Sequence, residues 1–410
     1  MENGNNWYGI YTQDYGEGNG GYESLRCPSS RPKSLMKDYR LRKISDHLYS
    51  IEFDTLDEAY GRSYAMKHFK PVSCSSVRKD GYYGRNFDWY YSNSVEFLVR
   101  IGASEGRYAS IGISTLVDGL DADTVSKCGY TRVYDAIPYL MVDGMNEKGV
   151  VVNTNVVPAG EAGTGKRTTG TNPGKKRIPQ IFIVRHVLDN YATAKDAVEG
   201  IKNDLDVYAA NIEGMNYELH CMIGDKDDNF IVEFVDNKVK VIEGDRANIM
   251  TNFHVYGTEI DGGKVDYKTI TPFGAGYERY NIALSEYGSI TDLGAMKTLM
   301  NEKLKYSNAY TLDEGDDFWY TEFVGDYGDY RITVEDCINR VDVFHDRIIP
   351  IIKEQYRTRE RKNKNVWITC HTSVFDIENK VLWLTSQEGE ELSDVGFGFN
   401  PDMDYLINCN

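Results

Sequence analysis

The chain has 410 residues, of which 27% are charged, and it carries a formal net charge of −17 at pH 7. This excess of acidic groups repels nucleic-acid phosphates, so we expect no nucleic-acid partner. No stretch reaches the ~18 apolar residues of a membrane span, and the N-terminal run MENGNNWYGIYTQD lacks the basic and apolar regions of a secretory signal.

The predicted elements alternate along the chain between strands and helices. Residues 1–35, rich in Gly, Asn, Tyr and Ser, have no period and predict an irregular arm. Alternating apolar residues predict strands over 48–54, 94–102, 108–115 and 149–157. Apolar residues spaced by three and four predict a helix over 178–203, and the sequence also fits helices over 57–69, 291–305 and 333–357.

Turn signals connect the remaining strands. Asp227-Asp228, Asp236-Asn237 and Glu378-Asn379 each separate two β-rich runs, which predicts three hairpins. The glycine-rich segment 158–177 predicts a loop. This order of elements indicates an α+β protein in which sheets pack on each other beneath helices. After residue 74 we find no linker and expect one domain.

A further hairpin, SCSSVRKDGYYGRNFDW at 73–89, combines reactive and charged groups. Its Asp80-Gly81 pair predicts a two-residue turn, which places Cys74 opposite Phe87 and diagonal to Arg85 on one face. Asp88 belongs to the other face, so it reaches Cys74 only if the strand ends, bends or bulges.

The groups in this hairpin predict nucleophilic chemistry. An arginine favours the thiolate form of a neighbouring cysteine. The hairpin has no histidine, and none of the seven histidines in the chain stands out as a partner. If the chain is cut before Cys74, the freed α-amino group, with an unperturbed pKa of about 7.7–8.0, supplies a base on the same residue. The seven cysteines show no paired spacing, which favours a reduced, cytoplasmic protein.

The motif CSSVRKDGYYGRNFDW resembles the start of the mature chain in the choloylglycine hydrolase family of N-terminal-nucleophile hydrolases. Further matches follow in order, and they end at a C-terminal hairpin: DGMNEKGVVVNTNVV at 143–157, ELHCMIGDKDDNFIVEF at 218–234, NIMTNF at 248–253 and GAGYERYNIAL at 274–284. The resemblance covers residues 74 to about 385 and implies an αββα four-layer sandwich.

The resemblance also implies the site residues. Cys74 is the expected nucleophile, Arg85 and Asp88 hold it, Asn252 binds the oxyanion, and Arg279 is the second catalytic arginine. For the other oxyanion position Asn153 and Asn155 compete, and Asn155 lies nearer the family's offset. The family implies a small N-acyl amide substrate, no cofactor or metal, and assembly as a tetramer. From position in the chain we expect an apolar pocket lined by the 90s, residues 128–142 and the 158–177 loop.

The 73 residues before Cys74 depart from the bile salt hydrolases, which expose their cysteine by losing only the initiator methionine. The expected division is therefore an extension over 1–73, acting as a pro-segment, and an amidase domain over 74–410. Relatives with a true pro-segment release the cysteine by self-cleavage, and attack of the Cys74 thiol on the Ser73 carbonyl is the analogous step here.

Several functions remain open at this level. Bile salts, N-acyl amino acids and penicillin V are all within the family's substrate range, and an N-acyltransferase differs only in what takes the acyl group from Cys74. A different class is an inactive relative that binds an acyl amide or a glycan.

The segment GEAGTGKR at 160–167 is not a phosphate-binding loop, because Arg167 stands where Ser or Thr must bind magnesium. Cys370 and His371 are neighbours in a strand and point to opposite faces, so we expect no metal site there.

Overall fold

The computed structural model describes the following residues: 39–45, 48–54, 56, 61–62, 65, 73–90, 94–117, 132–157, 172–209, 211–212, 215–216, 218–258, 260–261, 264–265, 276–305, 325–327, 330–332, 367–386, 389, 391–397 and 407–408. None of the helices within these ranges combines the length and the apolar character required to cross a membrane. The predictions for 1–35 and 333–357, and most of those for 57–69 and 158–177, lie outside the described residues.

The strands are β1 (Tyr39–Lys43), β2 (Leu48–Phe53), β3 (Ser73–Lys79), β4 (Tyr82–Tyr90), β5 (Ser94–Ile101), β6 (Ser110–Val117), β7 (Met141–Asn146), β8 (Val151–Val157), β9 (Lys176–Pro179), β10 (Leu205–Tyr208), β11 (Asn211–Ile212), β12 (Met215–Asn216), β13 (Glu218–Gly224), β14 (Asn229–Val235), β15 (Lys238–Ile242), β16 (Ile249–Met250), β17 (Ile260–Asp261), β18 (Lys264–Val265), β19 (Gly325–Tyr327), β20 (Tyr330–Ile332), β21 (Trp367–Asp376), β22 (Val381–Ser386), β23 (Glu391–Val395) and β24 (Ile407–Asn408). The α-helices are α1 (Ile183–Asn190), α2 (Ala194–Asp204), α3 (Gly276–Glu286) and α4 (Leu293–Thr298). Shorter helical turns are Arg132–Tyr139, Gln180–Phe182, Gly244–Ala247, Tyr287–Ser289 and the π-turn Leu299–Lys303.

Two large sheets and two helical layers form the sandwich. The ten-stranded sheet has the order β15-β14-β13-β8-β7-β6-β5-β2-β1-β24, and the six-stranded sheet has the order β16-β3-β4-β21-β22-β23. The sheets face each other, with β3 on β8 and β21 on β5. Helices α1 and α2 pack on the ten-stranded sheet, whereas α3 and α4 pack on the six-stranded one. The predicted four-layer αββα order is confirmed.

Strand β8 shows why the central strands are so apolar. Val152 packs in the core cluster that contains Val184 and Leu188 of α1. Val151 points the other way, into the cluster that contains Val374 of the second sheet. A strand covered on both faces needs apolar residues at successive positions, which explains the run VVV at 150–152.

The helical turn that follows α4 lies very close to strand β4 of the β3–β4 hairpin. A Cβ atom added at Gly84 in β4 would lie 2.7 Å from Cγ of Met300. Glycine at this position therefore lets the turn after α4 pack against the sheet that carries the site.

Part of the predicted extension belongs to the ten-stranded sheet. Strand β2 pairs in parallel with β5, with Leu48 opposite Glu96, and β1 pairs with both β2 and β24. Tyr49 and Ile51 are fully buried. The strand predicted over 48–54 is confirmed, while the division of the chain after Ser73 stays a prediction.

The helix predicted over 178–203 is wrong as one continuous element. Residues 176–179 form β9, and the helical part is split into α1 and α2. Asn146 Nδ2 donates to the carbonyl oxygens of Leu188 (3.1 Å) and Tyr191 (2.8 Å), which satisfies the end of α1. Thr193 then caps α2 by accepting a hydrogen bond from the Asp196 backbone N–H. These polar partners end one helix and start the next within a continuous apolar period.

Candidate active site

The β3–β4 hairpin has the predicted register. Asp80 has a φ of 50°, and the pairs are Lys79 with Tyr82, Ser76 with Arg85, and Cys74 with Phe87. Cross-strand diagonal neighbours share a face, and Arg85 Nη2 lies 3.2 Å from Cys74 Sγ. The turn therefore places a guanidinium on the thiol.

Arg85 is held from the opposite sheet. Nη1 donates to Asp143 Oδ2 at 3.2 Å, and Nη2 also donates to the carbonyl oxygen of Thr154 at 3.2 Å. Arg85 and Asp143 are both fully buried. A buried guanidinium needs such partners, because an uncompensated buried charge is costly.

Strand β16 brings Asn252 to the backbone of Cys74. Ile249 pairs with Val77 and Met250 with Ser76, so the same register carried two residues further places Asn252 beside Cys74. Its Oδ1 accepts a hydrogen bond from the Cys74 backbone N–H at 2.8 Å. Its Nδ2 donates to the carbonyl oxygen of Val156 at 2.8 Å.

Arg279 reaches the same backbone from helix α3. It donates to the Cys74 carbonyl oxygen, to Ser75 Oγ (2.6 Å) and to Asn252 Oδ1. Thr251 Oγ1 donates to the carbonyl oxygen of Gly276 at 2.6 Å, which anchors the start of α3 to the strand end that carries Asn252. Arg279 thus connects the backbone of Cys74 to the side-chain amide of Asn252.

Asp88 lies on the face opposite Arg85, as the strand period predicts. Its Oδ2 is 3.4 Å from Arg279 Nη1, and its Oδ1 accepts a hydrogen bond from Thr369 Oγ1 at 2.7 Å. Next to it, Cys370 is an extra residue in β21, because the pairing with β4 shifts between Thr369 and His371. Burial raises the pKa of Asp88, although Arg279 and Thr369 oppose the shift. Asp88 is therefore linked to Cys74 through Arg279.

The thiol of Cys74 is fully buried in this state. Burial raises its pKa to about 12, although Arg85 and Arg279 favour the thiolate. The predicted effect of the arginine has the expected sign, but desolvation outweighs it. The described arrangement therefore holds a neutral thiol.

The two competing asparagines lie below this centre. Asn155 Nδ2 donates to the carbonyl oxygens of Met250 (3.1 Å) and Thr251 (3.4 Å). Asn153 Nδ2 donates to Ser76 Oγ and to Asn155 Oδ1. Asn155 thus supports the main chain just before Asn252, and its oxyanion role stays a prediction.

Sequence reasoning missed four buried acidic and histidine residues: Glu96, Asp143, Glu233 and His371. Asp143 opens the DGMNEKG motif, so its motif position was a usable signal. His371 did not stand out among the seven histidines, and we expected no metal site at Cys370 and His371. Among the described residues no group of three His, Cys, Asp or Glu side chains has the geometry to hold a metal ion. The expected pocket lining over 128–131 and 158–171 lies outside the described residues.

Glu233 holds the loop that follows Asn252. Its Oε1 accepts hydrogen bonds from the Val255 backbone N–H (2.7 Å) and from His220 Nδ1 (3.1 Å). His254 Nδ1 lies 3.4 Å from Oε2. Burial alone would raise the pKa of Glu233, but the hydrogen bonds with His220 and His254 outweigh it and lower that pKa to about 2.

We expect the Glu233→Gln variant to lose stability in a pH-dependent way. A depressed carboxyl pKa stabilises the fold above the unfolded value of about 4.3, and that contribution fades as the pH falls towards 2. The native protein should exceed the variant by about 3 kcal/mol near pH ~6, and the difference should shrink by about half near pH ~3. Urea unfolding at several pH values measures it.

The matched control is Glu243→Gln, because Glu243 is exposed. Its unfolding free energy should stay within ~0.5 kcal/mol of native at each pH. An equal loss for Glu233→Gln at both pH values would contradict the role of its ionised form.

Comparison with known proteins gives a family match and two similar solved structures. The family model for linear amide C–N hydrolases of the choloylglycine hydrolase family matches residues 72–273, about half of the chain. A variant of conjugated bile acid hydrolase from Clostridium perfringens is 16% identical, with a TM-score of 0.40 over 78% of this chain and 92% of that one. Penicillin V acylase from Agrobacterium tumefaciens is 15% identical, with a TM-score of 0.34 over 77% and 83%. No curated protein sequence matches this chain significantly.

Proposed function

Since the chain belongs to the choloylglycine hydrolase family of linear amide C–N hydrolases, we propose that it cleaves a small N-acyl amide through a thioester on Cys74. One observation carries the proposal: each polar atom of Cys74 meets a different predicted residue. Sγ meets Arg85, the backbone nitrogen meets Asn252, and the carbonyl oxygen meets Arg279. Side chains from three separate parts of the chain thus converge on one cysteine.

The uncut chain lacks a base on this residue. The Cys74 nitrogen is part of the peptide bond to Ser73, so its lone pair is delocalised and it does not accept protons. The thiol itself stays neutral, because burial raises its pKa to about 12. Only after a cut between Ser73 and Cys74 does an amine with a pKa near 8 become available. We therefore assign the uncut chain the role of an inactive precursor.

The cut follows from the chemistry of the thiol. Sγ attacks the Ser73 carbonyl carbon, the C–N bond to Cys74 breaks, and the proton of the thiol passes to the new amine. Water then hydrolyses the resulting thioester, which leaves a carboxyl group on Ser73 and restores the Cys74 thiol. Both steps use only this cysteine and water.

Substrate turnover repeats the same chemistry on an external amide. The freed amine takes the thiol proton, and the thiolate attacks the amide carbonyl. Hydrogen-bond donors such as Asn252 Nδ2 stabilise the oxyanion once that amide has left the carbonyl of Val156. The amine product departs with the proton, and water hydrolyses the acyl thioester on Cys74.

We expect the purified protein to consist of two fragments that remain associated. Strands β1 and β2 pair within the ten-stranded sheet, and Glu52 forms a buried ion pair with Arg100 at 3.1 Å. Denaturing mass spectrometry should give fragments that end at Ser73 and begin at Cys74. Gel filtration of the native protein should give one species that contains both fragments.

Activity is then measured on a panel of linear amides comprising N-acyl amino acids, conjugated bile acids and penicillin V. We expect the cut chain to release amine from at least one of these amides, and the uncut chain to release none. A folded protein that begins at Met1 and still hydrolyses an amide would refute the proposed activation. A cut protein that releases no amine from any of them would count against the amidase reaction.

A further inference from the structure

A second buried cluster lies directly behind Arg85. Asp143 Oδ2 accepts hydrogen bonds from Arg85 Nη1 (3.2 Å) and Ser373 Oγ (2.9 Å), and it lies 3.1 Å from His371 Nε2. On the other side of the ring, His371 Nδ1 is 2.7 Å from Glu96 Oε2. All five side chains are at most 1% exposed. The chain of contacts runs from Glu96 through His371, Asp143 and Arg85 to the thiol of Cys74.

The position of each member is determined by strand pairing. Ser373 lies directly opposite Arg85 in the register of β21 and β4, and His371 is two residues away on the same face. The His371 ring stacks on Phe87, with ring centroids 5.1 Å apart and planes 9° apart. The Arg85 guanidinium carbon lies 4.9 Å from the centroid of the same Phe87 ring. Phe87 therefore contacts both the His371 ring and the Arg85 guanidinium.

The partners of the two ring nitrogens bear on the protonation state of His371. Each ring nitrogen faces a carboxylate oxygen, and an ionised carboxylate only accepts hydrogen bonds. A neutral imidazole has one N–H, so it would direct a lone pair at either Glu96 or Asp143. Only the imidazolium donates to both carboxylates. The neutral alternative places the lone pair on Nε2, where it would accept from Arg85 Nη1 at 3.3 Å, but it gives up the hydrogen bond to Asp143. Consistently, Glu96 and Asp143 outweigh the effect of burial and raise the pKa of His371, while the pKa of Asp143 is lowered.

We propose that His371, as an imidazolium between Glu96 and Asp143, is a positioning residue that keeps Arg85 directed at the Cys74 thiol. This inference rests on the proposed role of Cys74 as nucleophile. With His371 charged, the two cations and two carboxylates of the cluster balance. If His371 were neutral, one excess negative charge beside Cys74 would oppose formation of the thiolate.

Other charged groups face this cluster as well. Asp88 lies close enough for the His371 charge to lower its pKa, and Arg279 pairs with Asp88. Glu96, Asp143, Arg85 and Asp88 are thus ionisable groups that face or act on His371. The variants below alter Glu96 and His371 and leave the Asp88–Arg279 pair in place.

The test compares the alkylation rate of Cys74 by iodoacetamide, followed by mass spectrometry of its peptide, from about pH 5.5 to 8.5. In Glu96→Gln the imidazole loses a carboxylate partner, so it should release its proton within this range. The ratio of native to variant rates should then rise with pH and level off. A ratio that is the same at every pH would overturn the proposal.

His371→Gln removes the charge at every pH. Cys74 alkylation and amide kcat should both fall at least tenfold, by a factor that does not depend on pH, with KM changed less than twofold. His186→Gln, in helix α1, controls for loss of a histidine and should leave both rates unchanged. Native rates in a folded His371→Gln variant would overturn the proposal.

A measurement on the native protein decides the matter if these buried variants do not fold. Nitrogen-15 spectra of labelled histidine should show both His371 ring nitrogens protonated near pH ~7, and a neutral ring would refute the inference. Alkylation requires no substrate, so it separates the two proposals. If alkylation of Cys74 depends on His371 but no amide is hydrolysed, the result counts against the amidase reaction alone. If amides are hydrolysed but the ratio of native to Glu96→Gln alkylation rates is the same at every pH, the result counts against the positioning role of His371 alone.

Discussion

Replacing Cys74 with alanine should abolish both the cut after Ser73 and amide hydrolysis. Both reactions begin with attack by Sγ, and alanine has no nucleophile to replace it. Removal of a nucleophile or base in other hydrolases lowers kcat by about 10⁴- to 10⁶-fold, and we expect a loss of that size here. Denaturing mass spectrometry and amine release measure the two effects.

The Cys74→Ala variant should remain folded. Arg85 Nη2 keeps the Thr154 carbonyl as its acceptor, so the cost in stability should be about 1 kcal/mol. Cys221→Ala is the matched control, because Cys221 is also a buried cysteine but contacts the carbonyl oxygen of Val232. That variant should be cut and active. Cleavage or turnover in Cys74→Ala would require a different nucleophile and would end the Cys74 hypothesis.

The Arg279→Met variant should show the largest loss of stability. Arg279 is fully buried and donates to the Cys74 carbonyl oxygen, to Ser75 and to Asn252, so all three lose a donor. Asp88 loses its counter-charge at 3.4 Å and keeps Thr369. Breaking a buried ion pair typically costs about 3–5 kcal/mol, and we expect a decrease of that size in the free energy of unfolding.

The double variant Arg279→Met with Asp88→Asn tests the reason for that loss. Removing the unpaired charge should recover about 1–3 kcal/mol, although the protein stays inactive. Arg177→Met is the control, because Arg177 pairs with Asp206 at 3.1 Å but is 42% exposed. It should cost at most ~1 kcal/mol. A double variant no more stable than the single one would show that the charge of Asp88 is not what Arg279 compensates.

Local patterns in the sequence were sufficient for the hairpin and for its chemistry. The Asp80-Gly81 turn determines which residues of β3 and β4 share a face, and the Cys74–Arg85 contact follows from that period alone. The alternation of strands and helices similarly indicated two sheets beneath helices. Such features depend on neighbours in the chain, where periodicity carries the information.

Contacts between distant segments could not be obtained in this way. His371 meets Asp143 from a different sheet, and nothing near TCHTS in the chain indicates a carboxylate on each side of its ring. The break between α1 and α2 likewise depends on Asn146, more than 40 residues away. In both cases the partner is brought close by packing of the layers.

By itself, then, the sequence determined the nucleophile candidate, its arginine, the turn that joins them and the class of fold. Only the tertiary structure decided that β1 and β2 belong to the main sheet, that Asn252 and Arg279 meet the backbone of Cys74, and that the thiol is buried. The physical reason is that desolvation and buried ion pairing depend on which layers enclose a residue. The sequence of a single strand does not indicate which layers will pack on that strand.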